Sequence, residues 1–387
     1  MTSSPGETSV DIAIVGAGCA GRSLAWHLLD HGFDGRLVLL DPRVRFEADR
    51  TWCLFDVQEH AFESLVSHRW SRWRVRGGPG RWVERSAHGL NYTMLPSERF
   101  YEATTRRLTE ANVELRLGSR VHEITPEPKS VLVHTSQGPL RASTVFDSRP
   151  SPPPGKSVSL LQHFTGWFVR TAEPHFDPEV ATLMDFAVPQ EQGISFLYEL
   201  PFDAHTALLE ATWFDARSPT PERRATLHRR LLEERTQGLN YTVERVETGA
   251  IPMCSAATPP RTSERVYAIG LGGGMAKPST GYAFGAIQRF SEEMAVRLSR
   301  CDLPEPPAPR AWKTRLQDAS FLSYLERYPS RAPAAFERLF ERVPPLVLAR
   351  FLNDLGTPAD DLRVMRTMPT VAMAREVLRS RNAWLRP

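Results

Sequence analysis

A glycine-rich turn between two apolar runs near the N-terminus constrains this fold more than any other feature. The pattern predicts a buried strand over residues 10–15, a helix from Ser23 to Leu29, and a second strand over residues 37–40 that stops at Asp41. The turn has the spacing G-x-G-x-x-G, and its glycines are Gly16, Gly18 and Gly21. This βαβ order, with an acid twenty residues after the last glycine, is typical of dinucleotide-binding proteins.

Each part of this unit has a physical role toward a dinucleotide. Gly16 permits the tight turn, Gly18 lets a pyrophosphate approach the backbone, and Gly21 lets the helix pack closely on the strand. The helix N-terminus offers free N–H groups and a positive dipole end to the phosphates. Asp41 is placed to accept hydrogen bonds from a ribose. We therefore expect a bound dinucleotide, and the alternative is a glycine turn without a ligand.

A second unit of strand, glycine-rich turn and helix lies much further along the chain. Residues 266–269 predict a buried strand, residues 270–282 a turn, and residues from about 283 to 298 a helix. We expect this unit to complete the same cofactor site. The candidate contacts are Gly274, Met275, Pro278, Thr280 and Gly281.

Composition and charge exclude several classes of protein. The 387 residues are 41% apolar with a net charge of +3, which allows a large core and gives no case for nucleic-acid binding. The four cysteines lack C-x-x-C spacing, and no cluster has metal-ligand spacing, so we expect no metal site and a reducing cytoplasm. No signal peptide is evident, and no apolar run reaches the ~18–20 residues of a spanning helix, so any membrane contact should be peripheral.

The pattern of the chain changes after a proline-rich linker at residues 151–155. Residues 157–214 contain four strand-length runs rich in β-branched and aromatic residues, and residues 220–240 look helical. Beyond residue 301 apolar positions recur mostly at helical spacing. The sequence therefore predicts an α/β protein with an inserted β-sheet.

The expected domain division follows from these patterns. A discontinuous Rossmann-like domain takes residues 1–160 and 255–300, a β-sheet substrate domain takes 161–254, and a helical region takes 301–387. Residues 60–97, with an expected hairpin over 68–85, belong either to the first domain or to the substrate side.

Several motifs then occur together in one order. They are the N-terminal fingerprint, Thr51-Trp52, Leu183-Met184-Asp185-Phe186, Leu208-Leu209-Glu210-Ala211-Thr212 and Met275-Ala276-Lys277-Pro278-Ser279-Thr280-Gly281-Tyr282. Over most of its length the sequence resembles the flavin-dependent lycopene cyclases of carotenoid biosynthesis. The most specific signal is the pair L-L-E-x-T and K-P-S-T-G-Y.

The resemblance implies a fold, cofactors and a reaction. The fold would be a flavin monooxygenase-type FAD-binding domain with an inserted β-sheet substrate domain and C-terminal helices. The enzyme would be an isomerase that closes the ψ-ends of lycopene into β-ionone rings, with FAD active in its reduced form and NAD(P)H as reductant. Because a carotenoid is too apolar to travel through water, we expect a cytoplasmic protein peripherally bound to a membrane, near other carotenoid enzymes.

Glu210 is the expected acid catalyst. It interrupts an apolar strand, and a carboxyl in an apolar cavity has a raised pKa, so it can stay protonated near neutral pH and protonate an alkene. On the strand pattern alone, a carboxylate paired with arginine on a solvated sheet face is equally compatible. Asp185, also on an apolar run, is a second candidate that orders the site or serves as base, with a structural hydrogen bond as its alternative.

Other residues are assigned with the help of flavoproteins that share this opening. Arg50 and Thr51 follow the second strand and would meet phosphate or ribose, and backbone groups of Val121 would hold adenine. The candidates for contact with the substrate are Trp52, Phe168, Trp213, Phe214 and Tyr282. Trp52 would face the ring system of the cofactor, and the aromatic faces of Phe168, Trp213 and Phe214 would stabilise a cation. Core packing is the alternative for these four residues.

The sequence departs from related flavoproteins at two positions, and both departures bear on the expected reaction. Aromatic hydroxylases and halogenases of this fold usually carry Gly-Asp in the second glycine turn, whereas this strand ends Ile269-Gly270-Leu271. Lycopene cyclases share that lack. Their own motif often has two acids in a row, but here the second position is Ala211, so only Glu210 remains there.

Two other functions stay open. A redox flavoenzyme, such as a monooxygenase acting on an apolar substrate, would consume oxygen or NAD(P)H stoichiometrically. A protein that binds a ligand without chemistry would have Glu210 exposed and ion-paired. Within the cyclases, the sequence does not distinguish enzymes that form β rings from those that form ε rings, or closure at one end from closure at both ends.

Candidates for membrane contact are Trp312, Phe321-Leu322 and residues 345–348.

Overall fold

Three β-sheets and eight α-helices make up the part of the chain that the computed structural model describes, which is residues 8–150, 159–190, 193–216, 219–255 and 259–369 with 373, 375 and 376. The expected linker at 151–155 lies outside the described residues. The strands are β1 (Thr8–Val15), β2 (Leu37–Asp41), β3 (Thr51–Phe55), β4 (His68–Trp70), β5 (Arg72–Arg76), β6 (Val83–Ser86), β7 (Tyr92–Pro96), β8 (Glu114–Leu117), β9 (Val121–Pro126), β10 (Val131–Thr135), β11 (Gly138–Asp147), β12 (Ser159–Thr171), β13 (Val180–Asp185), β14 (Ile194–Pro201), β15 (Thr206–Asp215), β16 (Tyr241–Cys254), β17 (Arg261–Ser263) and β18 (Val266–Ala268). The helices are α1 (Cys19–Asp30), α2 (Ser97–Glu110), α3 (Pro221–Thr236), α4 (Phe284–Leu298), α5 (Trp312–Arg327), α6 (Ala332–Arg342), α7 (Pro345–Leu352) and α8 (Pro358–Thr367).

The first sheet holds both glycine-rich turns at one edge. Its main strand order is β17-β18-β11-β1-β2-β8, with β10 and β9 attached to β11. Strand β1 pairs in parallel with both β2 and β11, and β11 pairs in parallel with β18. Because the carboxyl ends of parallel strands meet at the same edge, the turns that follow β1 and β18 lie side by side. Helices α1 and α4 cover one face through Leu24, Leu28, Phe290 and Met294.

The second sheet is the longer one and faces the C-terminal helices. Its order is β16-β12-β15-β14-β13-β5-β6, and all pairs except β13 with β5 are antiparallel. One face packs against α5 to α8 in a large apolar cluster that includes Phe214, Phe336 and Leu339. The other face carries α3 over Leu209 and Trp213. A third, three-stranded sheet, β3-β7-β4, lies beside these two.

Most long elements match their expected positions. The strand–turn–helix of the fingerprint and the strand–turn–helix near residue 270 are confirmed. The expected hairpin is correct for β5 and β6, but β4 belongs to the third sheet. The expected helix over 220–240 ends at Thr236, and the fourteen-residue strand β16 follows it without having been recognised.

Strand β16 escaped recognition because its side chains do not alternate between apolar and polar. It contains Glu244, Arg245 and Glu247, and most of its residues are exposed or partly exposed. It pairs with β12 along almost its whole length.

Among the residues that the structure describes, none of the helices has both the length and the apolarity to cross a bilayer.

Candidate active site

The first glycine turn has the geometry of a phosphate cradle. Gly16 has a φ of +94°, and a Cβ there would overlap the Ser148 hydroxyl oxygen. A Cβ at Gly21 would overlap the carbonyl oxygen of Gly16, so helix α1 packs directly on the turn. The N-terminus of α1 has no side-chain cap and no acidic residue in its first turn. Its free N–H groups are therefore available to an anion.

Asp41 lies at the end of β2 with its carboxylate already engaged. It accepts hydrogen bonds from the backbone N–H of Ala17 (2.8 Å) and from the Arg43 side chain and backbone (2.9 Å each). Burial raises the pKa of Asp41, but the hydrogen bonds and charge of Arg43 outweigh it and hold the pKa below its ordinary value. The carboxylate is thus ionised, as an acceptor for a ribose requires, and Arg43 shares the position with it.

The second glycine turn is fixed by a buried ionic network that the sequence pattern did not reveal. Lys277 is 1% exposed and pairs with Asp318 (3.0 Å) and Asp354 (2.7 Å). Arg310 also pairs with Asp354 (2.7 Å) and donates to the carbonyls of Gly274 and Met275. We call Lys277, Arg310, Asp318 and Asp354 the lysine network. It anchors the turn to α5 and to the residues after α7.

A cavity of about 450 Å³ joins the two glycine turns to the face of the second sheet. Its polar end is bordered by Gly18, Cys19, Ala20, Arg43, Arg50, Thr51, Gly270, Leu271, Thr280 and Gly281. Its apolar end is bordered by Phe164, Leu183, Phe196, Leu208, Phe214, Phe336, Leu339 and Phe340. Glu210 and Glu247 also border this cavity. One space therefore offers a phosphate cradle, carboxyl groups and an apolar pocket.

The residues present fit a dinucleotide cofactor. Gln162 borders the cavity, and its buried Oε1 has no hydrogen-bond partner within the described residues. An unpaired buried acceptor is costly, and a polar group bound in the cavity would satisfy it. The uncapped α1 N-terminus and the ionised Asp41 supply the anion and ribose positions.

Glu210 faces the cavity from β15, as the alternation of this strand requires. Leu208, Thr212 and Phe214 share its face, whereas Leu209, Ala211 and Trp213 pack under α3. Burial, followed by the nearby Glu247, raises the pKa of Glu210 to about 8, and the Thr212 hydroxyl, which donates to it at 2.8 Å, opposes this only in part. Glu210 makes no ion pair with any described arginine, so the solvated ion pair is not the arrangement found.

Glu247 on β16 is a cavity residue that the sequence pattern did not single out. Its carboxylate accepts hydrogen bonds from the Thr51 N–H (3.1 Å) and the Thr51 hydroxyl (2.7 Å). Burial raises the pKa of Glu247, while Thr51 and the charges of Arg245 and Arg50 oppose the rise. No signal marked this residue, because the strand that carries it was not recognised.

Three tyrosines form a hydroxyl chain at the cavity wall. Tyr198 donates to Tyr92 (2.9 Å), and the Tyr92 and Tyr282 hydroxyls are 3.2 Å apart. Burial raises the pKa of all three phenols, so they stay neutral. Of the expected substrate residues, Tyr282, Phe214 and Trp52 border this cavity, and Trp52 also packs edge-on against Phe100 (5.2 Å between ring centroids).

Asp185 and Glu210 border different cavities, so Asp185 is not placed to act as the base in the site of Glu210. An irregularity in β13 between Thr182 and Asp185 turns its side chain to the opposite face of the sheet. There it pairs with Arg76 through both carboxylate oxygens (2.5 and 2.7 Å) in a separate cavity of about 320 Å³. This is the structural alternative that the sequence left open.

Other expected contacts also lie away from the cavity. Trp213 stacks with His163 on the α3 side of the sheet, and Phe168 packs against Phe202 and the Arg245 guanidinium. Val121 accepts a hydrogen bond from Arg149 (3.2 Å) through its carbonyl and does not border the cavity. Thr280 and Gly281 border the cavity, whereas Gly274, Met275 and Pro278 do not.

The fold and site define the class of the protein. A flavoprotein/dehydrogenase from Cytophaga hutchinsonii has a similar structure, with a TM-score of 0.62 at 12% identity over 96% of this chain and 100% of that one. The expected class, a Rossmann-like FAD-binding fold with an added β-sheet and C-terminal helices, is confirmed. At this identity the likeness concerns the fold alone.

The family follows from the sequence. The model described as "Lycopene cyclase protein" matches residues 11–378, so the chain belongs to the lycopene cyclase family. Lycopene beta-cyclase of Pantoea ananas is 28% identical over 380 residues, which cover 93% of this chain and 95% of the relative. Lycopene beta-cyclase of Pseudescherichia vulneris is 29% identical over 296 residues, which cover 74% and 73%.

Proposed function

We propose that the protein is a lycopene β-cyclase, an isomerase that converts the ψ-ends of lycopene into β-ionone rings without net oxidation or reduction. The products would be γ-carotene after one closure and β-carotene after two. The observation that carries this proposal is a carboxyl, Glu210, with a pKa near 8 on the wall of a cavity that is apolar at one end and has a phosphate cradle at the other. The relatives named lycopene beta-cyclase support it.

Glu210 is the proton donor in this proposal. Its proton adds to the terminal double bond of a ψ-end and leaves a tertiary cation. The neighbouring double bond attacks that cation and closes a six-membered ring, and loss of a ring proton forms the β-ionone end. Phe214, Tyr282 and Trp52 border the same cavity, and each aromatic face stabilises a nearby cation by on the order of 2 kcal/mol when water is excluded.

FAD is the cofactor that the site would hold. Gly16, Gly18 and Gly21 would receive its pyrophosphate, Asp41 its ribose, Val121 its adenine, and Arg50, Thr51, Thr280 and Gly281 its inner part, with Gly274, Met275 and Pro278 supporting that wall. Bound reduced FAD supplies negative charge that stabilises a cation electrostatically, and NAD(P)H would keep it reduced.

Access from a membrane would deliver the apolar substrate. The most exposed large apolar side chains of the C-terminal helices are Trp312 (71% exposed), Leu346, Leu362 and Met365. Of the expected contacts, Leu322, Val347 and Leu348 are buried and Phe321 and Pro345 are partly exposed, whereas Trp312 and Leu346 are exposed. We propose peripheral attachment to the cytoplasmic face of a membrane through exposed apolar side chains such as Trp312 and Leu346.

Product analysis in lycopene-accumulating cells tests the function. The wild type should form bicyclic or monocyclic β-ring carotenoids, and Glu210→Gln should leave lycopene unchanged while holding FAD. Glu244→Gln, which alters an exposed carboxylate on β16, is the matched control and should behave as wild type. Unchanged lycopene with an expressed, flavin-loaded wild type would overturn the proposal and favour a redox flavoenzyme.

A further inference from the structure

Two carboxyl groups occupy one row of the second sheet. Gly166 on β12 stands directly opposite Glu210 on β15 and directly opposite Glu247 on β16. Residues opposite one another share a face, so both carboxyls point to the cavity with Gly166 between them. Two strand spacings separate their Cα atoms by roughly 9.5–10 Å. A Cβ at Gly166 would lie 2.7 Å from Leu208 Cδ1, so glycine at this position leaves room for the Leu208 side chain beside the two carboxyls.

The two carboxyls have unequal surroundings. Glu247 receives two hydrogen bonds from Thr51, one of them from a backbone N–H, and lies near the positive charges of Arg245 and Arg50. Glu210 receives only the Thr212 hydroxyl and feels no positive neighbour. Donors and cations favour the ionised form. Glu247 is therefore the group of the pair that ionises first, and its charge helps to keep Glu210 protonated.

We propose that Glu247 is the base of the reaction, which removes the ring proton after Glu210 has donated its own. This inference rests on the proposed cyclase function and deepens it. Two titratable groups whose environments push them toward opposite protonation states form an acid and base pair. Glu247 takes the role for which Asp185, on the opposite face of the sheet, is not placed.

The step balances without an oxidant or reductant. The Glu210 O–H bond breaks and a C–H bond forms at the terminal alkene. A C–C bond then closes the ring at the expense of one double bond. The Glu247 carboxylate accepts the proton from the ring carbon that carries the polyene chain, and the C–H electron pair becomes the ring double bond. Exchange with water returns Glu247 to the carboxylate and Glu210 to the acid, so substrate and product are isomers.

Glu247→Gln tests the proposal because it keeps the shape and an acceptor for Thr51 but removes the basic charge. We expect FAD content and absorbance spectrum to match wild type and kcat to fall at least ~100-fold, as for loss of a general base. The residual product should change its ring type, with the proton lost from a neighbouring carbon to give ε or exocyclic double bonds. A purely structural role would not change the ring type. Glu244→Gln is again the matched control.

A second variant keeps the proposal testable if Glu247→Gln does not fold. Thr51→Val removes one donor to Glu247, so its pKa should rise and the acid limb of the kcat–pH profile should move to higher pH. The other titratable or charged groups around Glu247 are Arg50 and Cys53 from the β3 segment, Glu210 from β15 and Arg245 from β16. The variant leaves all of them in place.

The outcomes separate this inference from the function itself. A wild type and a Glu244→Gln variant that form no rings would overturn the cyclase function. Rings formed by wild type, with Glu247→Gln at the wild-type rate and ring type, would overturn only the role of Glu247. An acid limb that does not move in Thr51→Val would also overturn that role.

Discussion

Glu210 acquires its proposed chemistry from its neighbours rather than from its own sequence position. The residues that share its face of β15 are Leu208, Thr212 and Phe214, and no described cation pairs with it. The neutral acid is therefore the favoured form at pH 7, since burial penalises the charge. The same carboxyl on a solvated face would be ionised and useless as a donor to an alkene.

The activity should fall as pH rises through the pKa of Glu210. The donor must be protonated, and its pKa is about 8, so kcat should be lost above that pH. A kcat–pH profile with reduced FAD present checks this expectation. A profile that stays flat to pH 9.5 would contradict the assignment of Glu210 as donor.

Replacing Glu210 should also reduce the loss of folding stability that accompanies a rise in pH. The raised pKa means that the folded protein binds this proton more tightly than the unfolded chain. Its stabilising contribution is complete below the ordinary pKa of 4.5 and declines by about 1.4 kcal/mol per pH unit until pH 8. Glu210→Gln should therefore gain stability relative to wild type between pH 5 and pH 8. Urea unfolding at pH 5 and at pH 8 measures the difference in free energy of unfolding between the variant and wild type. Glu244→Gln is the control and should show no gain.

At the scale of elements, two turns from distant parts of the chain are held in contact by different means. The first turn depends on glycines that let α1 touch it. The second depends on the lysine network, in which buried charges are all paired. Removing one partner of such a network leaves uncompensated buried charge, which costs much more than losing a surface ion pair.

Lys277→Met should destabilise the protein strongly. Asp318 and Asp354 would remain buried without their shared cation, and breaking a buried pair typically costs about 3–5 kcal/mol. Lys313→Met is the control, since Lys313 is 36% exposed and pairs with Asp361 near the surface, where the loss should be at most about 1 kcal/mol. Urea denaturation of both variants measures the two losses of stability. Equal losses would contradict the claim that the lysine network stabilises the fold more than a surface ion pair does.

At the scale of the whole molecule, the central cavity joins elements from every part of the chain. Glycine turns from residues 16–21 and 270–281, sheet faces from β12 to β16 and apolar side chains from α6 and α7 all border it. The C-terminal helices therefore close the apolar end of the site as well as covering the sheet. The division into three domains stays a prediction.

Gly21→Ala should abolish flavin binding while Gly18→Ala should weaken it with the fold intact. A Cβ at Gly21 would overlap backbone of the turn, which cannot move aside, whereas at Gly18 it lies 3.5 Å from the Arg43 side chain and obstructs only an incoming phosphate. Flavin absorbance of the purified proteins, together with circular dichroism, distinguishes the two effects. Full flavin content in both variants would contradict the assignment of the cradle.

Local patterns predicted the fold where spacing reports backbone geometry directly. The fingerprint and Asp41 were identified because glycine spacing and strand alternation depend on neighbouring residues alone. The strand pattern left the role of Glu210 open, and the resemblance to the lycopene cyclases favoured the acid. Glu247, the lysine network and the placement of Asp185 depend on strand pairing across long separations and on an irregularity in β13. Those features arise only in the folded chain, so one sequence could not indicate them.

The most direct test of the central claim is an anaerobic reaction of lycopene with the reduced, FAD-loaded enzyme in D₂O. An isomerase in which an exchangeable carboxyl such as Glu210 protonates the alkene should yield cyclic carotenoid with one deuterium per ring closed. NAD(P)H should not be consumed in proportion to product. Stoichiometric loss of NAD(P)H, a requirement for oxygen, or rings formed without deuterium would contradict the account.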